Sequence, residues 1–251
     1  MADARVPLRF SAPYRVRFDE ADATGALRAS SHLRFMQDVA WQHSTSAGFD
    51  MAWYAARERF WLVRSLELTV AAPIPYGIDV EVTTEVVAMR RFWARRVSEF
   101  RLPEGGGVAA TGTIDWVITD PEGRPARVPE EMARAFPAAA PTDGLRRLDL
   151  PDGPPPGVKS CTTQVRRSEI DPMRHMNNAA YLDHMEEAVE VAGGAELLDS
   201  PGRRYRLEYL RAALPEGAVT GQAWETGRGW AYHLADEEGS LLFRGTIEPT
   251  E

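Results

Sequence analysis

A strand, a polar turn and a helix are predicted in immediate succession by Val165-Arg166-Arg167-Ser168-Glu169-Ile170-Asp171-Pro172-Met173-Arg174-His175-Met176-Asn177-Asn178-Ala179-Ala180-Tyr181-Leu182. Pro172 biases Asp171 towards extended backbone, so the strand ends there. A helix start nearby offers unpaired N–H groups and a partial positive charge. These features suit an oxyanion or a carboxylate, and Asp171 and His175 stand four positions apart beside them. The stretch is therefore a candidate reaction centre.

The same pattern occurs 149 positions earlier in the chain, without a gap. Six of the 25 positions from 16 to 40 are identical to their counterparts, where composition alone would give about one or two. The identical pairs are Val16/Val165, Arg17/Arg166, Glu20/Glu169, Asp22/Asp171, Leu33/Leu182 and Met36/Met185. A repeat of this length predicts two copies of one structural unit.

Composition sets modest bounds on function. The 251 residues are 44% apolar and 26% charged, as in ordinary globular proteins. We expect a cytoplasmic protein without membrane contact, because no apolar run has spanning length and the N-terminus lacks the apolar core of a signal peptide. The net charge of −8 argues against general nucleic-acid binding. The single cysteine, Cys161, excludes a thiolate zinc site, and no metal or other cofactor is predicted.

In the first unit, residue alternation predicts a strand from Tyr14 to Asp22. Ser30 or Ser31 is the expected N-cap of a helix that ends near Gly48. The remaining elements are a partly helical segment at 49–58, strands at 60–70, 78–88, 91–102 and 108–119, and a short helix at 129–136.

The boundary between the units is predicted at residues 137–157, which hold six of the eighteen prolines and suit an extended surface linker. The first unit then comprises residues 1–136 and the second residues 158–251. The second unit repeats the plan, with a strand at 158–170, a helix at about 177–192 and strands near 203–213, 219–226, 230–236 and 241–247. This is an α+β architecture in which each antiparallel sheet wraps a long central helix, and we expect the two sheets to pair edge to edge.

Several short motifs follow one another in an order that is fairly specific as a set. They are Met36-Gln37-Asp38, Trp41-Gln42-His43-Ser44, Ala47-Gly48, Trp61-Leu62-Val63-Arg64, Met89-Arg90-Arg91-Phe92-Trp93, Trp116-Val117-Ile118, Val128-Pro129-Glu130-Glu131-Met132, Asp171 to Tyr181 and Leu207-Glu208-Tyr209. With these motifs the chain resembles the acyl-acyl-carrier-protein thioesterases of plants and bacteria, which have a tandem (double) hotdog fold. The resemblance covers nearly the whole chain.

The resemblance implies hydrolysis of fatty acyl thioesters on acyl carrier protein, which releases free fatty acid in fatty acid biosynthesis. It implies that the first unit contains the acyl-chain pocket and that the second contains the chemistry. An Asp-x-Asn-x-His pattern assigns Asp171 and His175 as catalytic. Asn177, Trp61 and Arg91 are assigned to substrate binding. Contact with an acidic carrier protein is a candidate role for four arginines, Arg90, Arg91, Arg95 and Arg96.

Two departures from the family pattern bear on catalysis. Met173 stands where the family has Asn, and Ala212-Ala213 stands where it usually has Glu-Cys. Hydrolysis needs a base or nucleophile, a group that polarises the carbonyl and an oriented water. Because thiolates leave readily, Asp171, His175 and backbone N–H donors are chemically sufficient. We therefore expect a working enzyme with a reduced site.

A rival site lies in the first unit. Asp22-Ala23-Thr24-Gly25 resembles the Asp-x-x-Gly turn of single-unit hotdog thioesterases, so Asp22 and Gly25 form a possible second site. Ala26 stands at the repeat position of His175, so this copy lacks the histidine. Purely structural roles are also open: Asp171 as a turn cap and Asn177 as a helix N-cap.

Three other functions stay open from the sequence. The protein could hydrolyse acyl-CoA, or it could bind acyl chains without hydrolysis, as the two departures would favour. A hotdog dehydratase is the third, although the Phe-Pro-Gly-His stretch of those enzymes is absent. Either a monomer or a homodimer is compatible with a tandem chain.

Overall fold

The computed structural model describes residues 6–103, 105–137, 144–151 and 153–250. The described strands are β1 (Arg9–Arg15), β2 (Phe60–Val70), β3 (Asp79–Arg90), β4 (Trp93–Arg101), β5 (Val108–Thr119), β6 (Ser160–Gln164), β7 (Arg203–Tyr209), β8 (Ala218–Thr226), β9 (Gly229–Asp236) and β10 (Leu241–Pro249). The described α-helices are α1 (Ala29–Ser46), α2 (Met51–Arg57), α3 (Glu130–Ala135), α4 (Asn178–Ala192) and α5 (Ala195–Leu198).

These strands form one antiparallel sheet in the order β1-β3-β4-β5-β2-β7-β10-β9-β8-β6. The first five strands in this order belong to the first half of the chain and the last five to the second. β2 and β7 join the halves in a register that pairs Ser65 with Glu208 and Val70 with Arg203. The expected edge-to-edge pairing of two sheets is therefore present.

The long helices α1 and α4 lie against this sheet and against each other. Their apolar stripes are fully buried, with Leu33 and Met36 on α1 and Leu182 and Met185 on α4 all at 1% exposure or less. Arg34 Nη2 donates to Asp183 Oδ2 at 3.0 Å, and these residues are 149 positions apart, which is one repeat. A position that contacts its own counterpart lies near a symmetry axis. An approximate twofold axis therefore passes between α1 and α4.

The strands predicted to run into Asp22 and Ile170 are shorter than expected. β1 ends at Arg15 and β6 at Gln164, and a 3₁₀ turn follows in each unit, at Phe18–Glu20 and Arg167–Glu169. In each turn the glutamate accepts a hydrogen bond from the backbone N–H three residues earlier, Arg17 to Glu20 at 2.9 Å and Arg166 to Glu169 at 2.8 Å. These local bonds replace the strand ladder, and they explain why the repeat retains Glu at this position.

Two other boundaries of helices and strands differ from the prediction. The N-cap of α1 is Arg28, with no side-chain bond, so the predicted Ser30 or Ser31 cap is wrong. β7 ends at Tyr209, four residues before the predicted end at Ala213. Predicted strands at 60–70 and 108–119 coincide with β2 and β5.

The predicted linker at 137–157 is described only in part, since residues 138–143 and 152 lie outside the described residues. Residues 144–151 form neither helix nor strand, but they are not a free surface segment. Leu148 and Leu150 are buried, and the Leu148 N–H donates to Glu208 Oε1 at 3.2 Å.

Candidate active site

The same tight turn precedes α1 and α4. Asp171 Oδ1 accepts from the Met173 N–H at 2.8 Å and, at a longer 3.4 Å, from the His175 N–H. Asp22 Oδ1 accepts from the Thr24 N–H at 2.9 Å and the Ala26 N–H at 3.1 Å. Aspartate suits this position because its short side chain reaches the N–H groups that the turn leaves unpaired. Both candidate acids therefore have a structural role.

The third position after each aspartate is in the left-handed region, with Gly25 at φ 83° and Arg174 at φ 63°. This conformation lets the chain reverse, so that the Asp171 N–H donates to the His175 carbonyl at 2.9 Å. The reversal brings Asp171 and His175 together through their backbones. Among the described contacts, no hydrogen bond joins their side chains.

The Asp171 turn opens into a cavity of about 860 Å³ with a mainly apolar lining from both halves of the chain. Gln37, Ala40, Trp41 and Ser44 line it from one face of α1. The second half contributes the turn and the start of α4. Other lining residues are Trp61, Trp116, Asp171, His175, Asn177 and Tyr209. This cavity brings the predicted residues Asp171, His175, Asn177 and Trp61 to one place.

Two polar groups of the residues that line this cavity, one on Asp171 and one on His175, are available for further hydrogen bonds. Asp171 Oδ2 and the His175 imidazole accept or donate no hydrogen bond among the described residues, and both side chains are half-buried. Asn177 caps α4, its side chain accepting from the Ala179 N–H at 2.9 Å. The N–H of Asn178, the first helical residue, has no intrahelical acceptor, as at any helix start. Asn178 Nδ2 donates to Gln37 Oε1 at 2.9 Å, which ties the turn to α1.

At the two positions that depart from the family pattern, Met173 and Ala212-Ala213, the described hydrogen bonds are made by backbone N–H groups. Met173 contributes its N–H to Asp171, which any residue except proline can do. The Ala213 N–H donates to the Tyr181 hydroxyl at 2.8 Å, and Ala212 lines the cavity. Burial raises the pKa of Tyr181 to about 12, the Ala213 N–H opposes this shift and the Asp171 charge adds to it. Tyr181 is a site residue that the sequence did not indicate, because its partner is 32 positions away.

The remaining predicted residues lie elsewhere. Arg91 is exposed in the turn between β3 and β4 and is not among the described residues that line the cavity. Asp22 lines a second cavity of about 850 Å³, together with Asp183, Glu186 and Glu190 of α4, and Asp171 and Asn177 border this cavity too. Gly25 shapes the turn beside it. The lining of this second cavity is polar and carries many carboxylates, which suits an acyl chain poorly.

Comparison with known families identifies the chain. The sequence model of the acyl-ACP thioesterase N-terminal domain matches residues 7–136, and that of the C-terminal domain matches residues 158–199. The chain belongs to the acyl-ACP thioesterase family. Membership confirms the family resemblance that the sequence motifs indicated.

Several solved structures share this fold. An acyl-ACP thioesterase from Bacteroides thetaiotaomicron is 15% identical, with a TM-score of 0.79. The match covers 96% of this chain and 97% of the Bacteroides chain. The 12:0-ACP thioesterase from Umbellularia californica is 20% identical, with a TM-score of 0.76. The match covers 97% of this chain and 98% of the Umbellularia chain. A Lactobacillus plantarum protein assigned as an oleoyl thioesterase is 19% identical with a TM-score of 0.81, covering 97% of each chain. The predicted tandem hotdog fold is thereby confirmed.

A sequence relative is an uncharacterized protein of Mycobacterium tuberculosis, 21% identical over 173 residues. That match covers 68% of this chain and 66% of the relative, just under two thirds of its length. None of the described helices is both long and apolar enough to cross a membrane. Within the described ranges, no group of three or more His, Cys, Asp or Glu side chains could hold a metal ion.

Proposed function

We propose that this protein hydrolyses fatty acyl thioesters carried by acyl carrier protein, and that Asp171 is the general base. The observation that carries the proposal is the contrast between the two turns. Both bind their aspartate in the same way, but Asp171 borders the apolar cavity as well as the polar one, whereas among the described lining residues Asp22 borders the polar cavity alone. An acyl chain needs apolar surroundings beside the reacting carbon.

The free oxygen of Asp171 supports its role as base. Oδ1 is held by backbone N–H groups, so Oδ2 is available to take a proton from water. The water oxygen then attacks the thioester carbonyl carbon. The negative charge that develops on the carbonyl oxygen is stabilised by the helix start at Asn178 and by His175. The C–S bond breaks, and the departing thiolate regains the proton from Asp171.

The residues that line the cavity suggest a different role for each of the two units. We assign the acyl-chain pocket to the first unit, 1–136, whose α1, β2 and β5 supply most of its apolar walls. The catalytic turn belongs to the second unit, 158–251. Asn177 acts as the helix cap that presents the N–H groups, and Trp61 as a wall of the pocket. A monomer suffices, because both units that form the cavity belong to one chain.

Matched variants of the two turns test the assignment. Asparagine keeps the oxygen that accepts the backbone N–H groups and removes only the carboxylate, so the turn is retained. We expect Asp171→Asn to lower kcat about 10²- to 10⁴-fold, the range of general base catalysis. Asp22→Asn should leave kcat near the wild-type value. Thiol release is measured on octanoyl to octadecanoyl thioesters of both acyl carrier protein and CoA.

Four results would contradict parts of this proposal. Full turnover in Asp171→Asn would remove Asp171 from the chemistry, and loss in Asp22→Asn would move the chemistry to the first unit. Faster release from the CoA series would make acyl-CoA the substrate. Tight acyl binding with no release from any thioester would mean that Ala212 and Ala213 mark a binding protein without catalysis.

A further inference from the structure

A buried arginine lies at one end of the large cavity. Arg96 on β4 is 9% exposed and lines the cavity together with Ser44, Tyr54 and Trp61. Burial lowers the pKa of Arg96 to about 10, so the guanidinium is still charged at neutral pH. The apolar cavity therefore ends at a cation.

No carboxylate among the described residues forms an ion pair with this cation. Arg96 Nη1 donates to His43 Nδ1 at 3.0 Å. His43 in turn donates from Nε2 to the Pro7 carbonyl at 2.7 Å, and burial lowers its pKa to about 4, so it is neutral. Asp115, on the neighbouring strand, is bound by Arg95 at 2.6 Å. Arg95 therefore has a carboxylate partner, whereas Arg96 has none among the described residues.

The arginine is displaced from the Asp171 turn along α1. Gln37 marks the catalytic end, since it accepts from Asn178 at 2.9 Å. His43, which binds Arg96, follows six residues later, roughly 9 Å along the helix axis. Phe136 also lines the cavity beside Arg96, and its ring centre is 5.7 Å from the guanidinium carbon. An acyl chain that begins at Asp171 and follows α1 thus points its far end at Arg96.

Filling this end with a methyl group would remove water from a charge that has no counter-ion, which is costly. An oxygen atom there would instead accept a charge-assisted hydrogen bond. The hydroxyls of Tyr54 and Ser44 lie 3.4 Å apart at the same end and add further polar partners. Sites built around a polar group reject analogues that lack its partner.

We propose that the preferred acyl chain carries an oxygen at its far end, as a hydroxyl or a carboxylate, and that Arg96 binds this oxygen. This inference rests on the proposed function, in which the cavity holds the acyl group. It narrows the substrate class from plain fatty acyl chains to chains oxygenated at the terminus.

The experiment measures binding of S-alkyl thioether analogues of acyl-pantetheine, which cannot be hydrolysed. Methyl-, hydroxyl- and carboxyl-ended chains of equal heavy-atom count, from hexyl to dodecyl, are titrated into the protein by calorimetry. At the best length, we expect an oxygenated end to bind at least about tenfold tighter than the methyl end. Comparison of the hydroxyl-ended and carboxyl-ended series shows whether Arg96 binds a terminal hydroxyl or a terminal carboxylate more tightly.

Two variants locate the effect. Arg96→Met should abolish the preference for an oxygenated end. Arg101→Met is the matched control, because Arg101 is on the same strand and is paired with Glu99 at 2.7 Å outside the cavity. The control should keep the preference.

Tighter wild-type binding of methyl ends at every length would overturn the proposal without any variant. A preference that survives in Arg96→Met would do the same. A length limit for methyl-ended chains that moves to longer chains in Arg96→Met would make Arg96 a steric stop instead. Because these ligands do not react, their binding is independent of whether Asp171 catalyses hydrolysis. Absence of thiol release with the binding preference intact would reject only the proposed function.

Discussion

At the scale of single residues, the methionine in the Asp171 turn is less disruptive than the sequence suggests. Met173 holds Asp171 through its backbone N–H at 2.8 Å, a bond that does not depend on the side chain. We expect Met173→Asn to keep kcat at the wild-type value or raise it, because asparagine retains this bond and adds an amide beside the cavity. Steady-state kinetics on the best thioester gives kcat and KM. A marked fall in kcat with unchanged folding would mean that the site depends on the methionine side chain.

At the scale of elements, the two turns allow a paired test of backbone strain. A side chain at Gly25, with φ 83°, would meet no atom within 4 Å, so only the left-handed backbone opposes substitution. We expect Gly25→Ala to lower the free energy of unfolding by about 1 to 2 kcal/mol. Arg174 already has this conformation, with φ 63°. Arg174→Gly should therefore be neutral or stabilising by up to about 1 kcal/mol, since relief of strain is offset by unfolded-chain entropy. Denaturant unfolding of both variants checks the contrast, and equal effects would contradict it.

The elements also show what the sequence could reveal. Local contacts were predictable: Asp171 and Asp22 stand out because each bonds N–H groups two and four residues away, and the repeat preserves this spacing. The 3₁₀ turns were missed because an Arg and a Glu three positions apart also fit a strand. The bonds between Tyr181 and Ala213 and between Arg96 and His43 span 32 and 53 positions. Only tertiary packing creates such contacts, so no local pattern indicated them.

At the scale of the whole molecule, the two cavities differ through the helix that faces each turn rather than through the turn itself. α1 presents Gln37, Ala40 and Trp41 to the Asp171 turn, whereas α4 presents Glu186, Glu187 and Glu190 to the Asp22 turn. The approximate twofold axis places each turn opposite the helix of the other unit. Divergence of the helices is thus associated with one cavity that has a mainly apolar lining and one that has a polar lining, and the Asp171 turn borders both.

Burial of two histidines in the first unit gives the whole molecule an acid-sensitive stability. Burial is the main cause that lowers the pKa of His32 and of His43 to about 4, with nearby Arg203 and Arg96 acting in the same direction. In the unfolded chain both titrate near 6.5. Between these values the unfolded state binds more protons, so stability is complete above pH 6.5 and falls as the pH decreases towards 4.

The expected loss is about 2 kcal/mol per histidine at pH 5, before most carboxylates titrate. Denaturant unfolding from pH 7.5 to 5 measures it, and burial of His233 adds a further contribution of the same sign because its pKa is also lowered. His32→Gln should flatten the pH dependence, since glutamine can still donate to the Arg28 carbonyl that His32 Nδ1 contacts at 2.8 Å but takes up no proton. A free energy of unfolding that stays constant from pH 7 to 5 would mean that these imidazoles are not held neutral in the fold, and the neutral partner assigned to Arg96 would then have to be reconsidered.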